Sequence, residues 1–399
     1  MTALRFLLFG LVFVAVFGSA HLYLYRRLIR DTHLTDRVRQ WGRIALISMA
    51  VLMALGVGAT RFFNVPGERI FGFFAFGWMG FIALAVGLLI VLDSVRWGLA
   101  RLSKNSVTDP ERRIMLSRGM AAVATATAAT TGASGVALAM SDPEEPHIVV
   151  PIKHLPVSLS GFRIVQLSDI HFGPTLRGDF AAHLVQRVNA LKPDLVAITG
   201  DIVDGSVAEL GPYVQALAAI QSTHGIYVCT GNHEYYSGVD AWCDAMTSWG
   251  MRVLRNEHIS IEHGGARFDL VGVDDWRGSR LAKGQKYDFQ AANAGRDQSV
   301  FSILLSHQPK AIHDAANGGI DLVLSGHTHG GQIWPGKYIV QLVQPYVSGL
   351  HRHNARTWIY VHSGTGYWGP PVRVGVPSEI ALITLENAAH PQTASQRTA

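Results

Sequence analysis

The sequence predicts an α/β domain built on a mainly parallel sheet, preceded by a bundle of about four membrane-spanning helices. Three observations lead there. Apolar runs of bilayer-crossing length occupy residues 1–140. Beyond them, short apolar runs alternate with helical spacing in the order strand, helix, strand, helix, strand. Five of those strand-like runs end in Asp or His.

The membrane part comes first. Residues 6–25, 44–59 with a few flanking positions, and 70–92 match the roughly 20 apolar residues that a bilayer core requires. A fourth run, 119–140, is rich in Ala, Thr and Gly and less hydrophobic. The loop after the first run carries Arg26, Arg27, Arg30, Arg37, Arg39 and Arg43; the loop after the third carries Arg96, Arg101, Lys104, Arg112, Arg113 and Arg118. Between the second and third runs stand only Arg61 and Arg69. The positive-inside rule makes the two Arg-rich loops cytoplasmic. The chain after the fourth run is therefore expected on the outer, extracytoplasmic side of the cell membrane. Glu111-Arg112-Arg113-Ile114-Met115-Leu116 resembles a twin-arginine export signal, and its run ends in Ala137-Leu138-Ala139. Read instead as a weak spanning helix with flanking arginines, it leaves the following domain on the same side.

Charge follows this division. Residues 1–140 hold 15 of the 34 Lys and Arg but 6 of the 29 Asp and Glu, so the rest of the chain holds 19 against 23. A mildly acidic C-terminal part argues against a nucleic-acid partner, which calls for a basic surface. Cys229 and Cys243 are expected as buried free thiols, since their spacing does not suggest zinc. Residues 141–160, with four prolines in the first sixteen positions, are expected to be a linker. The globular domain is expected over 161–387, and a disordered tail over 388–399.

Within the domain, the strand at 162–167 runs into Ser168-Asp169-Ile170-His171. Phe180, Leu184, Val188 and Leu191 recur at helical spacing and lead to a buried strand at 195–198, closed by Thr199-Gly200-Asp201. A helix at 207–221 and a strand at 226–229 end at Gly231-Asn232-His233-Glu234. A helix at 239–249 follows, then strands at 252–254, 259–262 and 268–273. The strand at 300–305 ends at Ser306-His307-Gln308-Pro309, where Pro309 opens a helix through Ala316. The run 320–324 leads into Ser325-Gly326-His327-Thr328-His329-Gly330-Gly331, and strands at 358–361 and 379–385 complete the sheet. In extended backbone, residues i and i+2 share a side, so His327 and His329 are expected to face one site. Ligands of open α/β sheets bind just past the carboxyl ends of strands.

Asp169, His171, Asp201, Asn232, His307, His327 and His329 mix carboxylate and amide oxygens with imidazoles, a donor set that suits Mn, Fe or Zn better than Ca. They outnumber the ligands of one tetrahedral ion. Two divalent metal ions sharing a carboxylate account for them better. Each residue also has a bland reading: Asp169 and Asp201 as helix N-caps, Asn232 in a left-handed turn, His307 as a loop residue. Such an accident would have to coincide at each of the five strand ends.

The blocks D-x-H, GD, GNHE, a lone His and GHTH, in this order, resemble the calcineurin-like metallophosphoesterases over roughly residues 162–385. The wording SDIHFGP, GDIVDG, GNHEYY and SGHTHGGQIWP is similar to the bacterial membrane-associated or exported subgroup, and the preceding spans to transmembrane proteins with a metallophosphoesterase domain. The resemblance implies a four-layer α-β-β-α sandwich of two mixed sheets. It implies that Asp169, His171, Asp201 and His329 hold one metal and Asp201, Asn232, His307 and His327 the other. His233 would contact the phosphoryl oxygen or protonate the leaving group. The implied activity is hydrolysis of a phosphate ester substrate, monoester or diester, by a metal-bridging hydroxide; four spans, more than an anchor requires, add lipid-linked phosphates as a candidate substrate class. Asp204 and Glu234 are expected to orient metal-bound histidines. Arg373, in a glycine-rich return segment, is expected to be structural, and Asp274-Asp275-Trp276 to line the cleft. The competing class is a transporter or sensor subunit with an accessory metal-binding domain; the near absence of ionisable residues inside the spans speaks against it.

Overall fold

The computed structural model describes residues 3–62, 67–102, 109–282 and 284–389. The chain divides into two compact units: Met1–Met140 with Gly369–Val374, and Ser141–Trp368 with Gly375–Ala399. The first is helical. Helices α1 (Ala3–Leu24), α2 (Asp36–Phe62), α3 (Glu68–Leu102) and α4 (Pro110–Ala139) are its long elements, and a π-helical turn, Tyr25–Arg30, extends α1. Four helices among the described residues are long and apolar enough to cross a membrane. Leu24, Met53, Ile82, Leu89, Ala124 and Ala128 form the buried seam. The weak hydropathy of α4 has a packing reason. Its buried positions are small (Ser117, Ala121, Ala124, Ala128, Gly135, Ala139), the composition that lets helix backbones approach in lipid. Arg27 pairs with Asp93, which also accepts from the Tyr23 hydroxyl at 2.6 Å.

The second unit is a sandwich. Sheet one contains β1 (His147–Ile152), β2 (Arg163–Leu167), β3 (Leu195–Ile198), β4 (Ile226–Val228), β5 (Arg252–Val253) and β12 (Ala381–Asn387), in the order β1-β12-β2-β3-β4-β5. Sheet two contains β6 (Glu257–His263), β7 (Ala266–Gly272), β8 (Ser302–Leu305), β9 (Leu322–Ser325), β10 (Gly349–Arg352) and β11 (Trp358–Val361), in the order β10-β11-β9-β8-β7-β6. Both are mixed: β12–β2, β6–β7 and β10–β11 are antiparallel and the other pairs parallel. The residue pattern read as a single, mainly parallel sheet; periodicity reports burial but not which sheet a strand joins.

Strand alternation makes the layers. Ile164, Leu195 and Ala197 of sheet one meet Ile303, Leu305, Leu322 and Leu324 of sheet two in the core between the sheets. Their neighbours Val165, Leu167, Val196 and Ile198 face the other way, beneath α5 (Gly178–Ala190), α6 (Val207–Gln215) and α8 (Val239–Ser248). Between α6 and α8 lies the one-and-a-half-turn α7 (Asn232–Ser237). On the far side, Leu304 and Val323 pack with Ile312 and Ala315 of α11 (Ile312–Asn317). The short α9 (Gly278–Leu281), α10 (Phe289–Asn293) and α12 (Gly336–Val340) sit in connections. The architecture is the expected four-layer one.

β1 lies inside the stretch expected as a linker. It carries Pro151, which has no N–H to donate, yet it is the edge strand and pairs on one side only, with β12. The expected tail, apart from residues 388 and 389, lies outside the described residues.

Candidate metal centre

Five strand ends converge. β2, β3 and β4 of sheet one deliver Asp169 and His171, Asp201, and Asn232 and His233; β8 and β9 of sheet two deliver His307, and His327 and His329. Three groupings have ligand atoms within 4.8 Å of one another: Asp169/His171/His329, Asp201/His307/His327 and His171/Asp204/His233. The Nε2 atoms of His171 and His329 are 3.1 Å apart, and His329 Nε2 is 3.2 Å from Asp169 Oδ1. His307 Nε2 is 3.1 Å from Asp201 Oδ2 and 3.1 Å from His327 Nδ1. Asp201 Oδ2 also lies 4.0 Å from His171 Nε2 and 3.9 Å from His233 Nε2. One carboxylate oxygen therefore stands between the two groups.

The backbone that achieves this is unusual. Nine non-glycine residues among those described have positive φ, and six are in these motifs: Asp169, His171 and Asp201 at 52°, His327 at 72°, His329 at 49° and Gln332 at 48°. Asp and His tolerate the left-handed region better than most residues, but holding it costs on the order of 1–3 kcal/mol each. Such concentration of strain marks a functional site. It also corrects the expected geometry of His327 and His329. Their backbone is not extended, and His329 Nε2 turns toward His171 while His327 Nδ1 turns toward His307.

Neighbouring loops hold these conformations. Asp169 N–H donates to Gly200 O (3.0 Å) and His171 N–H to Asp201 O (3.1 Å). His327 N–H donates to Asp169 Oδ2 (2.9 Å), and Ser168 Oγ to the same oxygen (2.6 Å). Glu234 was expected to orient a histidine. Instead its buried carboxylate accepts from the backbone N–H groups of Gly231 (2.7 Å), Asp201 (2.9 Å) and Ile202 (2.7 Å), fastening the ends of β3 and β4 together. Asp204 orients two rings: His171 Nδ1 donates to its Oδ2 at 3.1 Å and His233 Nδ1 to its Oδ1. Asp275 is buried and accepts from Gln308 Nε2 at 3.0 Å, beside His307. Nothing in the sequence spacing pointed to that pair. Arg373 is fully buried in the segment that groups with the helices, its N–H donating to Gly135 O at 2.9 Å.

A profile of the Calcineurin-like phosphoesterase family matches residues 162–331. A transmembrane protein with metallophosphoesterase domain from Danio rerio is 33% identical over 401 residues, which cover 96% of this chain and 91% of that protein. The chain belongs to the calcineurin-like phosphoesterase family. An uncharacterized metallophosphoesterase of Campylobacter jejuni is 32% identical over 398 residues, covering 96% of this chain and 99% of the relative. Another from Helicobacter pylori (strain J99) is 41% identical over 239 residues, covering 59% and 63%.

Metallophosphoesterases use divalent metals, and the donor chemistry of this one fits cations. His307 Nδ1 faces the Thr199 carbonyl at 2.8 Å, an acceptor, so Nδ1 carries a proton and the neutral ring presents a lone pair at Nε2. That lone pair faces Asp201 Oδ2, also an acceptor. The two repel unless a proton or a cation stands between them. His171, whose Nδ1 is committed to Asp204, likewise presents a lone pair at Nε2, toward His329 Nε2 at 3.1 Å. Asn232 Oδ1 is buried with no hydrogen-bond donor, a loss of about 1–3 kcal/mol unless something else satisfies it.

Electrostatics agree. Burial alone would raise the Asp201 carboxyl, but His307 and His233 hold it well below the usual range. Burial opposed by the surrounding histidines, His329 foremost, does the same at Asp169. Burial would lower His307; Asp201 overrides it and holds the ring well above its usual value, a proton filling the place of a cation. Burial, with His307 beside it, drives His327 down to about 3, so it keeps a free lone pair. His233 is pushed up to about 9, where Asp201 and Asp204 outweigh its burial.

Proposed function

We propose that this chain hydrolyses phosphate esters with two divalent cations, and that its domain from Ser141 onward is the catalytic unit. Asp169, His171, Asp201 and His329 would hold one cation and Asp201, Asn232, His307 and His327 the other. The observation that carries this is the place of Asp201 Oδ2 between His307 Nε2 (3.1 Å) and His171 Nε2 (4.0 Å), with Asn232 Oδ1 buried and unpaired alongside. Mn²⁺, Fe and Zn²⁺ all suit the donors. Such cations supply Lewis acidity to phosphoryl oxygens and lower the pKa of water.

The protein's own groups do the rest. Asp204 fixes the His233 ring through Nδ1 and leaves Nε2 directed into the centre, 3.9 Å from Asp201 Oδ2. From there Nε2–H donates its proton to the departing oxygen as the P–O bond breaks and water adds to phosphorus, and the proton that the water sheds passes to solvent, from which His233 is reprotonated. Tyr236 and Trp368 stand edge-on to the same ring, with centroids at 5.1 and 5.9 Å, and wall the approach. The arginine-rich loops favour an extracytoplasmic catalytic domain, and its mildly acidic charge disfavours nucleic acid as substrate.

The test compares the metal-replete full-length protein with Asp201→Ala and His233→Ala on an aryl phosphate monoester and diester. Asp201→Ala should lose metal and activity together. His233→Ala should keep its metal while its rate falls about 10²–10⁴-fold. Undiminished turnover by Asp201→Ala would sink the reading.

A further inference from the structure

Soluble domains seldom leave large apolar side chains clustered in water. Among the described residues of the sandwich unit, nine such side chains are exposed, and five fall in one ten-residue stretch: Trp334, Tyr338, Ile339, Leu342 and Val343, from 54% to 83% exposed. A sixth, Trp368, is tied to the same loop. Gln332 Nε2 donates to Trp368 O at 2.9 Å, and Trp368 N–H donates to Gln332 Oε1 at 3.0 Å. Trp368 in turn stands edge-on to His233. The stretch opens five residues after His329. This apolar patch is thus the rim of the metal centre.

Its chemistry selects an occupant. Trp, Tyr and Lys mixed with aliphatic side chains is the composition of membrane interfaces. From Leu322 to Ser378 there is no Asp or Glu, while Lys337 and Arg352 fall within that span and are exposed. The stretch 334–343, with no acid of its own and with Lys337 among its apolar side chains, complements an anionic lipid face. The same chain supplies the bilayer: seven residues separate Ala139, the end of α4, from His147, the start of β1. At about 3.3–3.6 Å per residue that tether reaches at most about 25 Å. A second tether is covalent too, since Trp368 is followed directly by Gly369–Val374, which belongs to the helical unit.

We infer that residues 334–343 are a membrane-inserting lip, and that the metal centre takes amphiphilic phosphoesters whose head groups lie at the bilayer surface. The substrate class rests on the phosphoesterase reading; the lip does not. Both are tested with the full-length chain in nanodiscs containing phosphatidylglycerol. A nitroxide is placed at Leu342→Cys and, for reference, at exposed Asp244→Cys on α8; the buried Cys229 and Cys243 stay unlabelled. The label at 342 should be reached by oxygen in preference to a nickel chelate, and that at 244 the reverse. A label at 342 as open to nickel as the reference overturns the lip, and points to a protein partner instead.

For the substrate class, Ile339→Ser/Leu342→Ser/Val343→Ser is compared with wild type. The probes are vesicle-embedded hexadecyl p-nitrophenyl phosphate and soluble bis(p-nitrophenyl) phosphate. Turnover of the embedded ester should fall about tenfold or more, and that of the soluble ester less than about twofold. Equal losses on both, or no loss on either, overturn the surface-substrate inference. If wild type cleaves neither ester, the phosphoesterase reading fails and takes the substrate class with it, while the nitroxide result still decides the lip.

Discussion

Adding one methyl group at Gly326 should empty the metal centre. A Cβ built there lies 1.9 Å from Ser168 Oγ and 2.2 Å from Asp169 Oδ2. Ordinary contact begins near 3.4 Å, so the side chains must yield by about 1.5 Å and 1.2 Å. The serine hydroxyl can rotate only by giving up its 2.6 Å bond to Asp169. Asp169 can retreat only by leaving both His329 and the His327 N–H it accepts from. The φ of Gly326 is not positive, so the clash is steric rather than a matter of backbone handedness. Overpacking of this kind costs about 1–3 kcal/mol of stability. Displacing a ligand by an ångström costs on the order of 10²-fold in rate. Metal content of purified Gly326→Ala, by elemental analysis, should fall below that of wild type, and kcat/KM by about 10²-fold or more, with the fold retained by circular dichroism. Wild-type metal content and rate in the folded variant would show that Asp169 does not hold the cation.

Two other expectations are independent of that one. Asp204→Asn removes the charge that fixes the His171 and His233 rings, and chelator competition should show metal affinity weakened about 10–100-fold; unchanged affinity would make Asp204 a bystander. Cys229 and Cys243 are free, and burial pushes both thiols up, Cys243 to about 12. At pH 8 the Cys243 thiolate fraction is then about 10⁻⁴. Ellman's reagent should detect almost no thiol in the native protein within minutes and two per chain in denaturant. Rapid native labelling would show the sites open.

The sequence made the donors legible because each sits where strand chemistry requires it, immediately past a run of apolar residues. Asp169, Asp201, His307 and His327 needed no structure to be singled out. What stayed hidden was conformational. No local pattern announces that Asp169, His171, Asp201, His327 and His329 adopt positive φ, because that state is imposed by contacts between loops far apart in the chain. Glu234 was read as a histidine's partner since it adjoins one, yet its acceptor oxygens reach backbone amides of two strand ends. β1 was hidden by Pro151 within it and the three prolines around it, and an edge strand tolerates the one it contains. The division into two sheets was invisible for a different reason: β5 and β6 are separated by only three residues, a gap that ordinarily means a hairpin.

That division bears on the proposed centre, whose side chains come from both sheets. Of the proposed ligands, sheet one carries every oxygen, on Asp169, Asp201 and Asn232, and one imidazole, His171. Sheet two supplies His307, His327 and His329, imidazoles alone. Neither half holds a complete set, so the site exists only while the two strand ends stay in register across the sandwich. Gln166 bridges the sheets in the core, its Nε2 donating to Thr199 Oγ1 (2.9 Å) and to Ser325 O (3.0 Å). His307 Nδ1 spans the same gap to Thr199 O. Buried bonds of this kind add little net stability but are costly to break, since each would strand a polar group in an apolar core. They therefore act on alignment. The strained residues at the strand ends follow from that arrangement: a rigid, doubly anchored frame can hold five left-handed side-chain positions in place, so if they bind cations as proposed, the cost of ordering them is met by folding and not by binding.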